Sequence, residues 1–142
     1  MAATEQMEEY LETIYRLEEQ GSVARTGEIA AQLGVAPPSV TDMVQKLEKA
    51  GFVEYEPYRG VHLTETGRAV GQKILGRHRV MQVFLQEVCG MDHAEAHEAA
   101  CGMEHWIPDA LHDWMDGFLT ERRGVAVDQE KRVADQVAAP DA

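Results

Sequence analysis

At 142 residues with 44% apolar side chains, the chain can build one well-buried core or two small domains that share a helix. Its net charge of −12 argues at first against a nucleic-acid partner, and two cysteines are too few for a disulfide framework. No apolar run reaches the roughly 18 residues a membrane helix needs, and the acidic stretch Met1 to Glu9 excludes a signal peptide, so the cytoplasm is the expected compartment.

Along the chain, Met7, Tyr10, Leu11, Ile14, Tyr15 and Leu17 recur at three and four residues and predict an amphipathic helix over 5–20. Gly21 stops it. Thr26 begins a second helix with Ile29, Ala30 and Leu33 inward, ended by Gly34, and Pro37 and Pro38 open a third that runs to about Ala50 with Val40, Val44 and Leu47 buried. Phe52 to Tyr55 alternates as a strand, 56–60 reads as a turn, and Val61-His62-Leu63 returns. Thr64 caps a long helix over 65–88. Gly90 breaks the pattern, Asp92 caps a helix over about 93–106, and Pro108 starts another that ends near Gly117. Val125, Val127, Val133 and Val137 mark a short, loosely packed final helix. The expected fold is mainly α with a small β-hairpin wing. Residues 1–70 form a winged helix-turn-helix, and 71–142 a helical domain joined to it by the long helix.

Charge is unevenly spread. Residues 1–21 hold one Arg against six Glu, and 89–142 hold four Lys/Arg against twelve Asp/Glu. Residues 22–88 hold eight against seven, so only this middle segment can approach a polyphosphate without strong repulsion. It contains two helices joined by a sharp turn and followed by a hairpin, which is the plan of a DNA reader. Pro38, Ser39, Thr41, Gln45, Lys46 and Lys49 lie on the second helix, where small hydroxyls and long polar groups can reach base edges. Arg25, Lys46, Lys49 and Arg59 are the phosphate candidates, and Tyr58 and Arg59 form the wing tip. Asp42 on the same face would repel phosphate. Ordinary packing of a solvated helix pair is the competing account of these residues.

A second constellation is sharper. His97, Cys101, Glu104 and His105 fall at i, i+4, i+7 and i+8, which stacks imidazole, thiol and carboxylate on one side of a helix. Such a face is a poor core and a good ligand set. Glu9 and Glu12 at i and i+3, and His78 on the long helix, are further donors, and together these groups can enclose one or two divalent first-row ions. Taken singly, each has a plainer explanation: His78 as a hydrogen-bonded core residue, Cys101 as a small hydrophobe, Glu9 and Glu12 as a solvated acidic face. His62 and His93 lie off these faces. No HExxH or CxxC pair is present to indicate a metalloprotease or a structural zinc site.

These residues resemble the diphtheria toxin repressor (DtxR) family of metal-dependent regulators, in particular its short manganese-transport-regulator (MntR) branch. The likeness covers most of residues 5–118: EEYLETIY in the first helix, APPSVTDMVQKLEKAGFVEYEPYRGVHLTETG through reader and wing, RH in the long helix, and CGMEH. The resemblance implies a homodimer that represses metal-uptake genes on palindromic operator DNA when Mn(II) or Fe(II) is bound, with no small-molecule substrate and no catalysis. It implies Glu9, Glu12, His78, Cys101, Glu104 and His105 as ligands, with His97 matching an ancillary ligand of the iron-responsive branch. Gln82 stands where that branch has a Glu. The chain ends without the SH3-like third domain of longer members, as the short branch does. Cys101 occupies a position that is usually Glu in manganese sensors and Cys in iron sensors, whereas the paired Glu residues and short architecture lean toward Mn(II).

The mechanism expected on this basis is a cation clasp. Crowded acidic groups repel, a divalent ion neutralises them, and the two reading helices of a dimer are held about 34 Å apart. Met81, Val83, Phe84, Leu85, Trp106, Ile107 and Leu111 offer apolar surface for the shared core of the dimer. A metal enzyme and a metal-independent winged-helix regulator are the rival readings.

Overall fold

The computed structural model describes residues 2–124, 126 and 127. In chain order it contains α1 (Glu5–Glu19), α2 (Thr26–Leu33), α3 (Pro37–Lys49), β1 (Val53–Glu56), β2 (Gly60–Leu63), α4 (Glu65–Glu87), α5 (His93–Met103) and α6 (Asp109–Arg123). Apart from Ala126 and Val127, the expected final helix lies outside the described residues. The chain divides into two compact units, one up to Leu75 and one from Gly76 onward, so the division falls within α4.

In the first unit, Thr4 Oγ1 accepts the Met7 N–H at 3.2 Å and opens α1, whose buried stripe is Met7, Tyr10, Leu11, Ile14 and Leu17. Gly34 closes α2 in the left-handed region at φ 66°, which turns the chain within three residues into Pro37, the first residue of α3. Val40, Met43, Val44 and Leu47 of α3 then meet Ile29, Phe52, Val53 and Val61 in one core. The hairpin pairs Val53 with Leu63 and Glu56 with Gly60 in antiparallel register. A further single bridge joins Ala24 to Val61, whose N–H donates to the Ala24 carbonyl at 2.7 Å, so the 23–25 connector lies along the edge of β2. Gly67 and Gly71 let α4 close on this unit: a Cβ would stand 1.9 Å from the Phe52 oxygen at the first and 2.7 Å from the Leu11 oxygen at the second.

The second unit is built around Val80, Met81, Ala100, Ile107, Met115, Leu119 and Val127. Two helix ends differ from the sequence expectation. α5 stops at Met103 rather than near 106, and Glu104 and His105 sit in the turn beyond it. There the Trp106 N–H tightens onto the Met103 carbonyl at 3.0 Å, and Pro108 disfavours helical geometry at Ile107. α6 passes through Gly117 and ends at Arg123, capped by Gly124 at φ 78°. An interior glycine costs roughly 1 kcal/mol, less than burying Met115 and Leu119 on either side of it returns. Met81 and Ile107 lie inside this core, buried with Ala100 and Leu119 in one cluster, and not on a surface open to a partner.

Candidate metal centre and nucleic-acid interface

His78 and Gln82 are one turn apart on α4, and His93, His97 and Cys101 follow at successive four-residue steps on α5. Glu104 is the first residue past the end of α5, and its N–H still donates to the Ala100 carbonyl at 2.9 Å, which fixes where its carboxylate leaves the helix. Together these placements make a cluster. His78 Nδ1 lies 2.6 Å from Glu104 Oε2, and Cys101 Sγ lies 3.8 Å from His78 Nδ1 and 3.7 Å from His97 Nε2. Glu104 Oε1 is 3.4 Å from His105 Nε2. His78 and Glu104 are buried whereas His97 and Cys101 are exposed, so the cluster has a dry floor and an open mouth.

The donor set fits a divalent ion. One ligand atom each from His78, His97 and Cys101 lies within 4.8 Å of the others. A tetrahedral ion bonded to nitrogen at about 2.0 Å and sulfur at about 2.3 Å sets those donors about 3.6 Å apart, close to the two sulfur–nitrogen distances here. Two imidazoles, a thiolate and a carboxylate also carry a formal charge that one divalent ion balances.

Of the residues expected from sequence, His78, His97, Cys101, Glu104 and His105 are therefore brought together within the second unit. Glu9 and Glu12 lie on α1 in the first. Glu12 is buried and accepts from Arg16 at 2.6 Å, while Glu9 is exposed. Burial, with the Glu9 carboxylate beside it, pushes the Tyr10 phenol above its ordinary pKa. His93, set aside at the sequence level, belongs to the cluster: its Nδ1 lies 3.2 Å from Gln82 Nε2. Its place four residues before His97 was the available signal.

On the first unit, Pro38, Ser39, Thr41, Gln45, Lys46 and Lys49 are all exposed along α3, with Asp42 among them. Lys46 and Lys49 fall in the last turn of the helix. At the wing tip Tyr58 is 99% exposed and holds φ 69°, a conformation uncommon for a non-glycine residue. Arg59 pairs loosely with Glu56 at 3.5 Å. Arg25, Thr26, Tyr55, Tyr58 and Gly60 line one cavity between the start of α2 and the wing.

A DNA-reading winged helix-turn-helix followed by a helical unit with a His/Cys/Glu cluster defines a metal-dependent transcriptional repressor. Two family models match the chain: the iron dependent repressor N-terminal DNA binding domain over residues 2–61, and the iron dependent repressor metal binding and dimerisation domain over 64–123. The chain belongs to the iron dependent repressor family, and as such is a transcriptional regulator rather than an enzyme. It is 38% identical over 117 residues to an uncharacterised HTH-type transcriptional regulator of Methanocaldococcus jannaschii, covering 82% of this chain and 94% of that one. It is 42% identical over 104 residues to the HTH-type transcriptional regulator MntR of Bacillus pumilus, covering 73% and 72%. Among solved structures, the manganese regulator SloR superposes with a TM-score of 0.72 at 31% identity over 84% of this chain. The present chain spans about half of SloR, 55% of its length. Among the described residues, no helix is long and apolar enough to cross a membrane.

Proposed function

We propose that the protein is a cytoplasmic homodimer that binds two-fold symmetric operator DNA when Mn(II) or Fe(II) occupies the cluster of His78, His97, Cys101, Glu104 and His105, and that it controls genes of metal uptake. The observation that carries this reading is the convergence of imidazole, thiol and carboxylate groups on one point of the second unit, in a chain whose first unit is a helix-turn-helix with an exposed polar reading face. Glu9 and Glu12 are assigned as further ligands on their sequence pattern, and the number of ions per subunit is one or two. A divalent ion bound there would supply positive charge to balance the buried acid and a thiolate.

The remaining roles belong to the chain itself. Ser39, Thr41 and Gln45 approach base edges from α3, Pro38 packs against the backbone, and Lys46, Lys49, Arg25 and Arg59 meet phosphates while Tyr58 enters the neighbouring groove. The partner subunit docks on the exposed apolar face of α6 and its flanks. Trp106 is 73% exposed there, Trp114 59%, Leu111 44% and Phe118 37%. Trp114 stacks on Phe118 at 5.4 Å and both meet Phe84 edge-on, so the face is pre-ordered.

Manganese is supported by the function stated for SloR, a structural relative. Iron is supported by Cys101 and the two imidazoles, which are softer donors than Mn(II) prefers. The test is anaerobic titration of the metal-stripped protein with each ion, followed by binding to DNA enriched from random sequence on the metal-loaded protein. One of the two ions raises DNA affinity at least tenfold on this reading. Equal affinity with both ions and with chelator contradicts it.

A further inference from the structure

The hairpin of the first unit is held along both outer edges by groups from elsewhere in that unit. In its antiparallel register Tyr55 stands opposite Val61, and Val53 opposite Leu63. Successive positions of such a ladder alternate between N–H groups that face the partner strand and N–H groups that face away. Tyr55 and Val61 are a pair of the second kind. On β2, the Val61 N–H donates to the Ala24 carbonyl at 2.7 Å and the Leu63 N–H to Glu18 Oε1 at 3.3 Å. The other oxygen of Glu18 pairs with Arg68 at 2.9 Å, which anchors that edge on α1 and the start of α4. On β1, the Tyr55 N–H donates to Glu48 Oε2 at 2.8 Å, seven residues back in the last turn of α3. Glu48 thus acts at both ends of the connection. Its carbonyl accepts the Gly51 N–H at 3.0 Å, where φ 82° reverses the chain, and its carboxylate catches the strand that follows.

We propose that Glu48 is a positioning residue for DNA binding: by holding the outer edge of β1 to α3, it fixes the wing tip against the reading helix, so that both meet the duplex in one register. This deepens the reading of the wing given above and rests on it. Tyr58 and Arg59 lie three and four residues beyond the hold, a lever of about 10 Å. A hydrogen bond to phosphate spans roughly 2.7–2.9 Å and is gone by about 3.6 Å. A hairpin free to swing on its base therefore loses that contact. Charge alone argues the opposite sign. Glu48 is exposed near Lys46 and Lys49, and its carboxylate adds repulsion toward a polyphosphate. Removing it strengthens binding if only its charge matters, and weakens binding if its hold on Tyr55 matters more.

The test measures the affinity of the full-length, metal-loaded protein for DNA enriched on it from random sequence. Glu48→Ala, folded by circular dichroism, binds about tenfold more weakly, within the range for one hydrogen bond to a charged group. Its slope of log affinity against log salt falls by about 0.9. Glu48→Gln keeps an acceptor oxygen, removes the charge and binds at least as tightly as wild type. In a protein that already carries Tyr58→Gly and Arg59→Ala, adding Glu48→Ala costs nothing further. Independently of any variant, NMR of the metal-free wild type finds the Tyr55 amide protected from solvent exchange. Wild-type or tighter binding by Glu48→Ala, equal losses in Glu48→Ala and Glu48→Gln, a full loss on top of the two wing substitutions, or an unprotected Tyr55 amide each overturns the role of Glu48. The wing contact then still stands. Wild-type affinity in the protein with the two wing substitutions overturns the wing contact itself, and the role of Glu48 with it.

Discussion

His78 Nδ1 sits 2.6 Å from Glu104 Oε2, with both side chains buried and 26 residues apart in sequence. The contact ties the middle of α4 to the turn after α5 and puts a carboxylate where only a proton or a cation can offset its desolvation. Glu104→Gln keeps the shape and removes the charge. Without metal, the amide oxygen can still accept from His78, and the variant loses about 1.5–3 kcal/mol, the worth of a charge-assisted hydrogen bond. A further difference appears when metal is added. At 100 times the dissociation constant, wild type gains about 2.7 kcal/mol, and Glu104→Gln at the same concentration gains almost none. Thermal unfolding with and without metal measures this, and an unchanged increment in the variant removes Glu104 from the ligand set.

Close approach in the first unit gives a prediction independent of metal. Gly71→Ala places a Cβ 2.7 Å from the Leu11 carbonyl oxygen and 2.9 Å from Tyr15 Cβ, in a region where backbone must move. The expected cost is about 1–3 kcal/mol, the range for overpacking, and more for Gly67→Ala, where the approach to Phe52 is closer. Gly27→Ala on α2 meets nothing within 4 Å and, in a helix, raises stability by up to about 1 kcal/mol. Denaturant unfolding of the three variants orders them; equal stabilities would mean that α4 does not pack on α1 as described.

The wing tip joins strain to exposure. Tyr58 holds φ 69° with 99% of its surface in solvent, so no burial of its side chain among the described residues offsets the conformation. Tyr58→Gly is expected to raise stability by up to about 1 kcal/mol and to lower DNA affinity, the opposite signs marking a residue kept for its partner. Lys46→Ala and Lys49→Ala each lower affinity for all sequences and reduce the slope of log affinity against log salt by about 0.9. A Tyr58→Gly variant that binds DNA as wild type does, at every salt concentration, would remove the wing from the interface.

The apolar face of α6 makes a prediction about assembly. Trp114→Glu sets a charge into the Trp114–Phe118 stack without touching the Met115 and Leu119 core. The fold should survive by circular dichroism while the dimer weakens at least tenfold by sedimentation. A variant that sediments as wild type does at every concentration would place the dimer contact elsewhere.

Much of the fold was legible because local rules agreed with tertiary ones. The α1 stripe, the left-handed Gly34, the Pro37 start of α3 and the Thr64 cap each declare themselves within a few residues. The misreadings occur where distant contacts decide. Gly117 looked like a stop but lies between two buried side chains, and α5 ended early because the chain had to turn before Pro108. Met81 and Ile107 have the composition of interface residues but are buried in the core of the second unit, whose other members come from distant positions. For the metal site, residue types and four-residue spacing on α5 sufficed for His97 and Cys101. The link from His93 through Gln82 crosses two helices, and a glutamine carries no charge or metal affinity to draw notice.

The account stands on coupling between metal and DNA, and linkage makes that coupling reciprocal. The most direct measurement is the affinity of the stripped dimer for its activating ion, taken anaerobically with and without a saturating amount of its selected DNA. The account predicts that DNA tightens metal binding about 5- to 150-fold, and by the same factor with which metal tightens DNA binding. Identical metal affinities in the two titrations would contradict it.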